Sequence, residues 1–362
     1  MFGWSKKSNS ASDTMTFKSR IQEFWLWFNA HAEKFHAKVS SNASDEIVPE
    51  VEEKMNELMP DLAWVFGPGE GDSNHSFTIT GEGAMAKQLL AYQWFQQAPE
   101  IKGWTFFPAK QATAPESLKG IAIQLRGGKQ LEAEKLTIAT IFDEERNVFD
   151  ITCSHPEFKG MPDEERNFLL MLLLDEALGE FGVVQYVGSI DFGPPPPNSK
   201  SMSLVEFPTF LEHARKYHNW EPRSIMNSYT LYELPNQNTK RPRADSIGGT
   251  SLVPDIVGEY IERGKPLKDD SLKKLGAEIA YLQFPTSNLD EEQLIDSRSK
   301  IEDTIQDALE TELSGRTLGG AIGTRNSYID LLLIDGENSR EIVMKCVKQF
   351  GLHGTVSIER ML

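Results

Sequence analysis

The segment GRTLGGAIGTRNSYID, from Gly315 to Asp330, gathers residue types that suit a ligand or partner surface. Gly319, Gly320 and Gly323 let the backbone turn tightly or approach another group closely. Arg325 carries a fixed cation suited to an anion, and Tyr328 and Asp330 share one face of a strand by its period of two. The segment is not a phosphate loop, because GxxxxGK followed by Ser or Thr is absent. It is not a dinucleotide fingerprint either, because its glycines sit between strands and not ahead of a helix. The alternative is a structural hairpin in which the glycines mark a bulge and Tyr328 packs.

Other reactive residues offer less. Cys153 and His155 in TCSH fall on the same side of a strand, a spacing open to a thiolate–imidazole pair, but no oxyanion donor or orienting residue accompanies them. His31 and His36, like His213 and His218, are five residues apart, about 140° around a helix, so neither pair shares a metal as HExxH does. Asp143, Glu144 and Glu145 belong to a turn, and Asp163, Glu164 and Glu165 open a helix whose dipole favours them. Asp175, Glu176 and Glu180 follow an apolar helix face and are either its wet side or the edge of a cleft. Trp25 and Trp27 point in different directions, leaving one for an interface. Pro194 to Pro197 read as a rigid strand terminator. No catalytic residue, metal site or cofactor is expected. The acids include no DxDxDG calcium loop.

Composition narrows the classes further. The 362 residues carry 37 Lys plus Arg against 54 Asp plus Glu, a formal net charge of −17. Broad nucleic-acid or anionic-membrane binding needs the opposite sign, so neither partner is expected. Two widely separated cysteines form no disulfide framework or zinc series. The first residues lack the apolar core of a secretory signal, and even FLLMLLLDEALGEF is broken by Asp175, Glu176 and Glu180 before it could span a bilayer. A reducing, cytoplasmic setting is the expectation.

The elements that must position these residues follow from periodicity. Phe24, Trp27, Phe28, His31 and Phe35 make one stripe of a helix over 17–39, and Val48, Val51, Met55 and Leu58 make another over 47–59. LAWVF and HSFTITG flank a turn-rich loop as two strands. A helix over 84–97, the strands GWTFF, IAIQL, KLTIATIFD and VFDITCS, a helix over 163–181 stopped by Gly182, and the strand VVQYVGSIDF complete the first region. A short helix is expected over 204–217. Residues 235–274, rich in Pro, Gly, Ser and charge and including Lys240, Arg241, Pro242 and Arg243, read as a linker. Beyond it, AEIAYLQF, a helix over 297–313 with Ile301, Ile305, Leu309 and Leu313 every four residues, TLGGAIG, SYIDLLLID, a helix over 337–350 and TVSIER give the order β-α-β-β-α-β. Ile342, Val343, Cys346, Val347 and Phe350 form the inner side of that second helix. The expected fold class is α+β, two helix-on-antiparallel-sheet modules of which the C-terminal one is ferredoxin-like. The expected division is a disordered start over 1–16, an α+β domain over 17–234, a linker or irregular connection over 235–274 and the ferredoxin-like domain over 275–362.

FWLWF at Phe24 to Phe28, LLLDEALGEFGVVQYVGSIDF at Leu172 to Phe192, and GGAIGTRNSYIDLLLID resemble a bacterial family carried under a domain-of-unknown-function label. That resemblance implies no activity and supplies no catalytic residues. The acidic C-terminal module is similar, in fold and charge, to small acidic inhibitors of ribonuclease E. Together these features point to a non-enzymatic interaction or regulatory protein whose acidic surface docks a basic protein partner. The competing expectation is a small-ligand protein or enzyme with its site at Gly319, Gly320, Gly323, Arg325, Tyr328 and Asp330.

Overall fold

The computed structural model describes residues 15–221, 224–234, 241–268, 271–290, 292–352 and 354–362. It is a mixed α+β protein with several sheets, and the chain divides into two compact units. One combines the residues up to Pro108 with Tyr229–Leu362; the other is Ala109–Ser228. The expected disordered start lies outside the described residues except for Met15 and Thr16, and the Thr16 hydroxyl caps the first helix by accepting from the Ser19 amide.

The first unit opens with α1 (Phe17–Ser40), α2 (Val48–Leu58), β1 (Ala63–Pro68), β2 (His75–Thr80), α3 (Met85–Gln96) and β3 (Trp104–Phe107). Phe24, Phe28 and Phe35 of the predicted stripe are buried, Trp27 and His31 sit at its half-buried border, and Trp25 is buried as well. Trp25 stacks on Trp94 with ring centroids 4.7 Å apart, and its indole donates to the Trp94 carbonyl. Neither tryptophan is left for an exposed interface; the fully exposed residue of the motif is Leu26.

The second unit holds α4 (Pro115–Leu118), β4 (Ala122–Gln124), β5 (Gln130–Glu132), β6 (Thr137–Asp143), β7 (Val148–Ser154), α5 (Asp163–Leu178), α6 (Gly182–Tyr186), β8 (Val187–Phe192), β9 (Lys200–Ser203) and α7 (Phe207–His218). Its four-stranded sheet runs β8-β7-β6-β9, with Pro194 to Pro197 directly after the edge strand β8. Leu169, Leu170, Leu173, Leu174 and Ala177 of α5 pack on Ile138, Phe149, Ile151 and Cys153. The expected strand over Val183–Phe192 starts late, because α6 occupies its first four residues.

The expectation of antiparallel sheets throughout is corrected here. β2 pairs parallel with β3, and β7 parallel with β8. In each case a helix lies between the paired strands, and a helical crossover is what returns a chain in the same direction. The region 17–234 is also not one domain: β1-β2-β3 and β8-β7-β6-β9 are separate sheets in different units.

The chain re-enters the first unit as β10 (Thr230–Glu233), β11 (Ser246–Ser251), α8 (Pro254–Arg263), α9 (Ser271–Leu275), β12 (Glu278–Pro285), α10 (Leu294–Thr311), β13 (Gly315–Gly323), β14 (Asn326–Leu333), α11 (Gly336–Gln349) and β15 (Ser357–Arg360). The order β-α-β-β-α-β from β12 to β15 is as read from the sequence, and the six-stranded sheet runs β10-β11-β13-β14-β12-β15. Residues 235–274 are not a linker in their described part. They contribute β11, an interior strand of that sheet, and the amphipathic helix α8, which buries Val257, Tyr260 and Ile261. On one face of the sheet, Ala280, Leu282, Phe284, Ile329, Leu331 and Leu333 meet Ile301, Ile305 and Leu309 of α10 and Val343 and Val347 of α11. Leu313 and Phe350, expected inside, are 42% and 39% exposed because each lies just beyond the last turn of its helix.

Candidate functional site

Alternation along β12 and β14 sends Tyr281, Tyr328 and Asp330 to the face opposite α10 and α11. There they meet Arg243, although its stretch of chain has the composition of a solvated linker. The Arg243 and Asp330 side chains are both fully buried and joined in a two-pronged ion pair, Nη1 to Oδ1 and Nη2 to Oδ2. The guanidinium lies 5.1 Å from the Tyr281 ring centroid and 5.0 Å from that of Tyr328. It also donates to the Tyr232 hydroxyl at 3.3 Å and contacts Met361 Sδ at 3.4 Å. Tyr260 and Tyr281 share a hydroxyl hydrogen bond of 3.1 Å. Burial opposes the Arg243 charge, but Asp330 above all outweighs it and holds the guanidinium protonated. Burial pushes the phenol of Tyr232 up to about 12.

Asp245 completes the cluster. Its carboxylate accepts the Tyr328 hydroxyl and, at 2.9 Å each, the backbone amides of Arg325 and Asn326. Burial would raise this acid, yet the three donors and the Arg325 charge hold it below the usual carboxylate range. The anion that Arg325 was expected to hold is therefore a residue of the chain itself, with Arg325 Nε 4.0 Å from Asp245 and the side chain otherwise 63% exposed.

The glycines have distinct duties. Gly319 adopts φ +105° where the β13–β14 register shifts, the bulge anticipated as the structural alternative. A Cβ on Gly323 would fall within 2.8 Å of both the carbonyl and the carboxylate of Asp245, so only glycine admits that approach. Gly320 instead lies on the helix-covered face, where a Cβ would come within 2.6 Å of the Arg298 guanidinium. The six candidate residues are thus not one surface: Tyr328 and Asp330 are sealed inside, Gly323 and Arg325 hold Asp245, and Gly320 lines a groove. Arg243, Asp245, Tyr232, Tyr260 and Tyr281 were missed by sequence reasoning.

That groove, of about 790 Å³, lies where β10, β11 and β13 extend past the cover of α10. Gly248, Gly249, Gly320 and Ala321 form its low floor. Leu231, Ile247 and Ile295 line it at 74%, 52% and 69% exposure. Its carboxylates are Glu233, Glu292 and Asp296, whereas Arg298 is tied to Glu302 at 2.9 Å and is 9% exposed.

The remaining candidates resolve into structural roles. Cys153 is fully buried, and burial pushes its thiol up to about 12, the wrong direction for a nucleophile. The His155 ring accepts the Glu157 amide and packs on Phe158. Asp143 accepts the amides of Glu145 and Arg146 in its turn. Glu176 binds Lys110 and Thr113, while Asp175, half-buried beside Glu180 and Glu176, is raised to about 6 chiefly by burial. Among the described residues no three His, Cys, Asp or Glu side chains come together as a metal site. No helix among them is long and apolar enough to cross a membrane. No protein-family model, curated protein or solved structure matches the chain, so neither resemblance read from the sequence gains support from these comparisons.

Proposed function

We propose that this is a non-enzymatic protein-binding protein that takes a cationic, amphipathic segment of a basic partner into the groove at the β10–β11–β13 end of its six-stranded sheet. The observation that carries this reading is the pairing of exposed Leu231, Ile247 and Ile295 with a rim of Glu233, Glu292 and Asp296. Contiguous exposed hydrocarbon of this kind is costly unless a partner covers it, and the acids select a partner of opposite sign. The net charge of −17 adds long-range steering of a basic protein. In this reading β12 to β15 with α10 and α11 are a ferredoxin-like module, widened by β11 and β10 to make the groove floor. Two free, buried cysteines suit a reducing cytoplasm.

The test is fluorescence anisotropy of the full chain with a labelled Lys/Leu amphipathic peptide and its Glu/Leu counterpart. The Lys/Leu peptide is expected to bind and to weaken as salt rises from about 0.05 to 0.3 M. Leu231→Lys and Ile295→Lys are each expected to weaken it at least about fivefold, by losing apolar cover and adding a like charge. Equal binding of both peptides, or indifference to both substitutions, overturns the reading.

A further inference from the structure

The second unit carries an open groove of about 930 Å³ between α7 and the β6–β9 edge of its sheet, with a chemistry opposite to that of the chain as a whole. Four of its lining residues, Lys119, Lys200, His213 and His218, are cationic or can become so. None of the four is ion-paired with a described carboxylate within 4.0 Å, although exposed lysines elsewhere, such as Lys110, Lys129 and Lys135, are. Glu206 is the one acid among the described residues of the lining, and its carboxylate is occupied by the Ser203 amide and hydroxyl at 2.9 Å each.

Aromatic faces stand among these cations. The His218 ring lies on Phe142 with centroids 4.3 Å apart and planes 30° apart. Lys200 Nζ sits 4.6 Å from the centre of the Phe210 ring. Tyr217 projects at the rim with 86% of its surface exposed. Hydroxyl and amide groups of Thr140, Ser201, Thr209 and Asn198 complete the wall. An exposed tyrosine, unpaired cations and a concave space near the upper end of the ~300–1,000 Å³ typical of ligand sites are jointly unexplained by the packing of this unit.

We propose that this groove binds a small aromatic anion of nucleotide size, with its anionic group taken by the cations and its ring by Tyr217 and the Phe142–His218 stack. A flat ring gains stacking energy from such faces whatever its identity, the lysines supply the charge that a phosphate or carboxylate needs, and the imidazoles can add N–H donors. Neutral aromatics satisfy only half of the site, and a simple inorganic anion only the other half.

Isothermal titration of the full chain with AMP, CMP, GMP and UMP tests the proposal, with adenosine as the uncharged control and a twelve-residue deoxyadenylate as the polymer control. At least one monophosphate is expected to bind, with adenosine at least about tenfold weaker than AMP. Tyr217→Ala and Lys200→Gln are each expected to weaken binding at least about fivefold while thermal unfolding stays unchanged, since both side chains are exposed. Absence of binding by all four monophosphates at millimolar concentration overturns the proposal, as does equal binding of adenosine and AMP. Binding unaffected by both substitutions overturns it too. An oligonucleotide binding far more tightly than AMP would assign the groove to single-stranded nucleic acid and equally overturn it. The peptide groove of the first unit is untouched by any of these outcomes.

Discussion

Arg243 in the first unit and Lys200 in the second are cations set against aromatic rings, the second beside the stacked rings of His218 and Phe142, yet one group is closed and the other open. Arg243 lies between Tyr281 and Tyr328 and has a carboxylate, Asp330, in bidentate contact. Lys200 and His218 lie over Phe210 and Phe142 and have none. A guanidinium cannot be buried without an anion, because its desolvation exceeds what ring faces return. Asp330 therefore lets the first cluster close over itself, and the lack of an equivalent acid leaves the second in contact with water and receptive to an anion from outside. The difference separates a structural polar core from a binding surface made of the same kinds of residue.

Removing the internal anion breaks the comparison most severely. Asp330→Ala leaves Arg243 charged and unpaired, and urea unfolding is expected to show a loss of about 3–5 kcal/mol. Replacing both partners, Arg243→Met with Asp330→Leu, is expected to cost much less than the sum of the single changes, because no charge is then stranded. A double-mutant cycle that is simply additive would contradict the picture of a self-satisfied cluster.

Asp245 comes next. Its carboxyl titrates below the usual range in the folded chain, so its contribution is fully present above the unfolded value near 4 and disappears as pH falls through the lower folded value. Asp245→Asn is expected to destabilise by about 1–2 kcal/mol at pH 7, with the gap from the parent chain narrowing below about pH 4. Asp175 has the opposite sign. Its folded value of about 6 lies above the unfolded one, so whatever stability it adds is present when protonated at low pH and lost as pH rises through 6. Asp175→Asn is expected to stabilise by about 1 kcal/mol at pH 8, a figure reduced for partial exposure, and to change little at pH 4. The smallest effect on stability sharpens the comparison from the other side. Thr209→Asp supplies the open groove with an acid of its own; unfolding is expected to shift by less than about 0.5 kcal/mol while AMP binding falls.

Much of the C-terminal architecture was legible because Ile301, Ile305 and Leu309, and Val343 and Val347, announce helix faces between strands of clear alternation. The same alternation correctly put Tyr328 and Asp330 on one side. What it could not show is what covers that side. Arg243 lies 87 residues from Asp330 in the chain, in a run whose Pro and charges have the composition of a solvated linker. A buried cation leaves no periodic trace, so local pattern alone favoured the wrong environment. The parallel pairs β2–β3 and β7–β8 were hidden for a related reason: the strands read well, but which of them become neighbours is decided by the helices between them. The five-residue spacing of His213 and His218 sets them about 140° apart on a regular helix. It did not reveal that both line one groove, because His218 ends α7 and its ring lies against Phe142.

The division of the first unit by the second has a consequence for synthesis. The amides of Phe17 and Lys18 donate to the carbonyls of Gly276 and Ile334, at 3.0 and 2.9 Å, so the start of α1 is anchored to strand ends translated long after it. Ala109–Ser228 is contiguous, and all of its sheet has left the ribosome before β12 begins. Vectorial production thus imposes an order: the inserted unit has its complete complement of partners first, and the opening helix waits for the last third of the chain to secure its amino end.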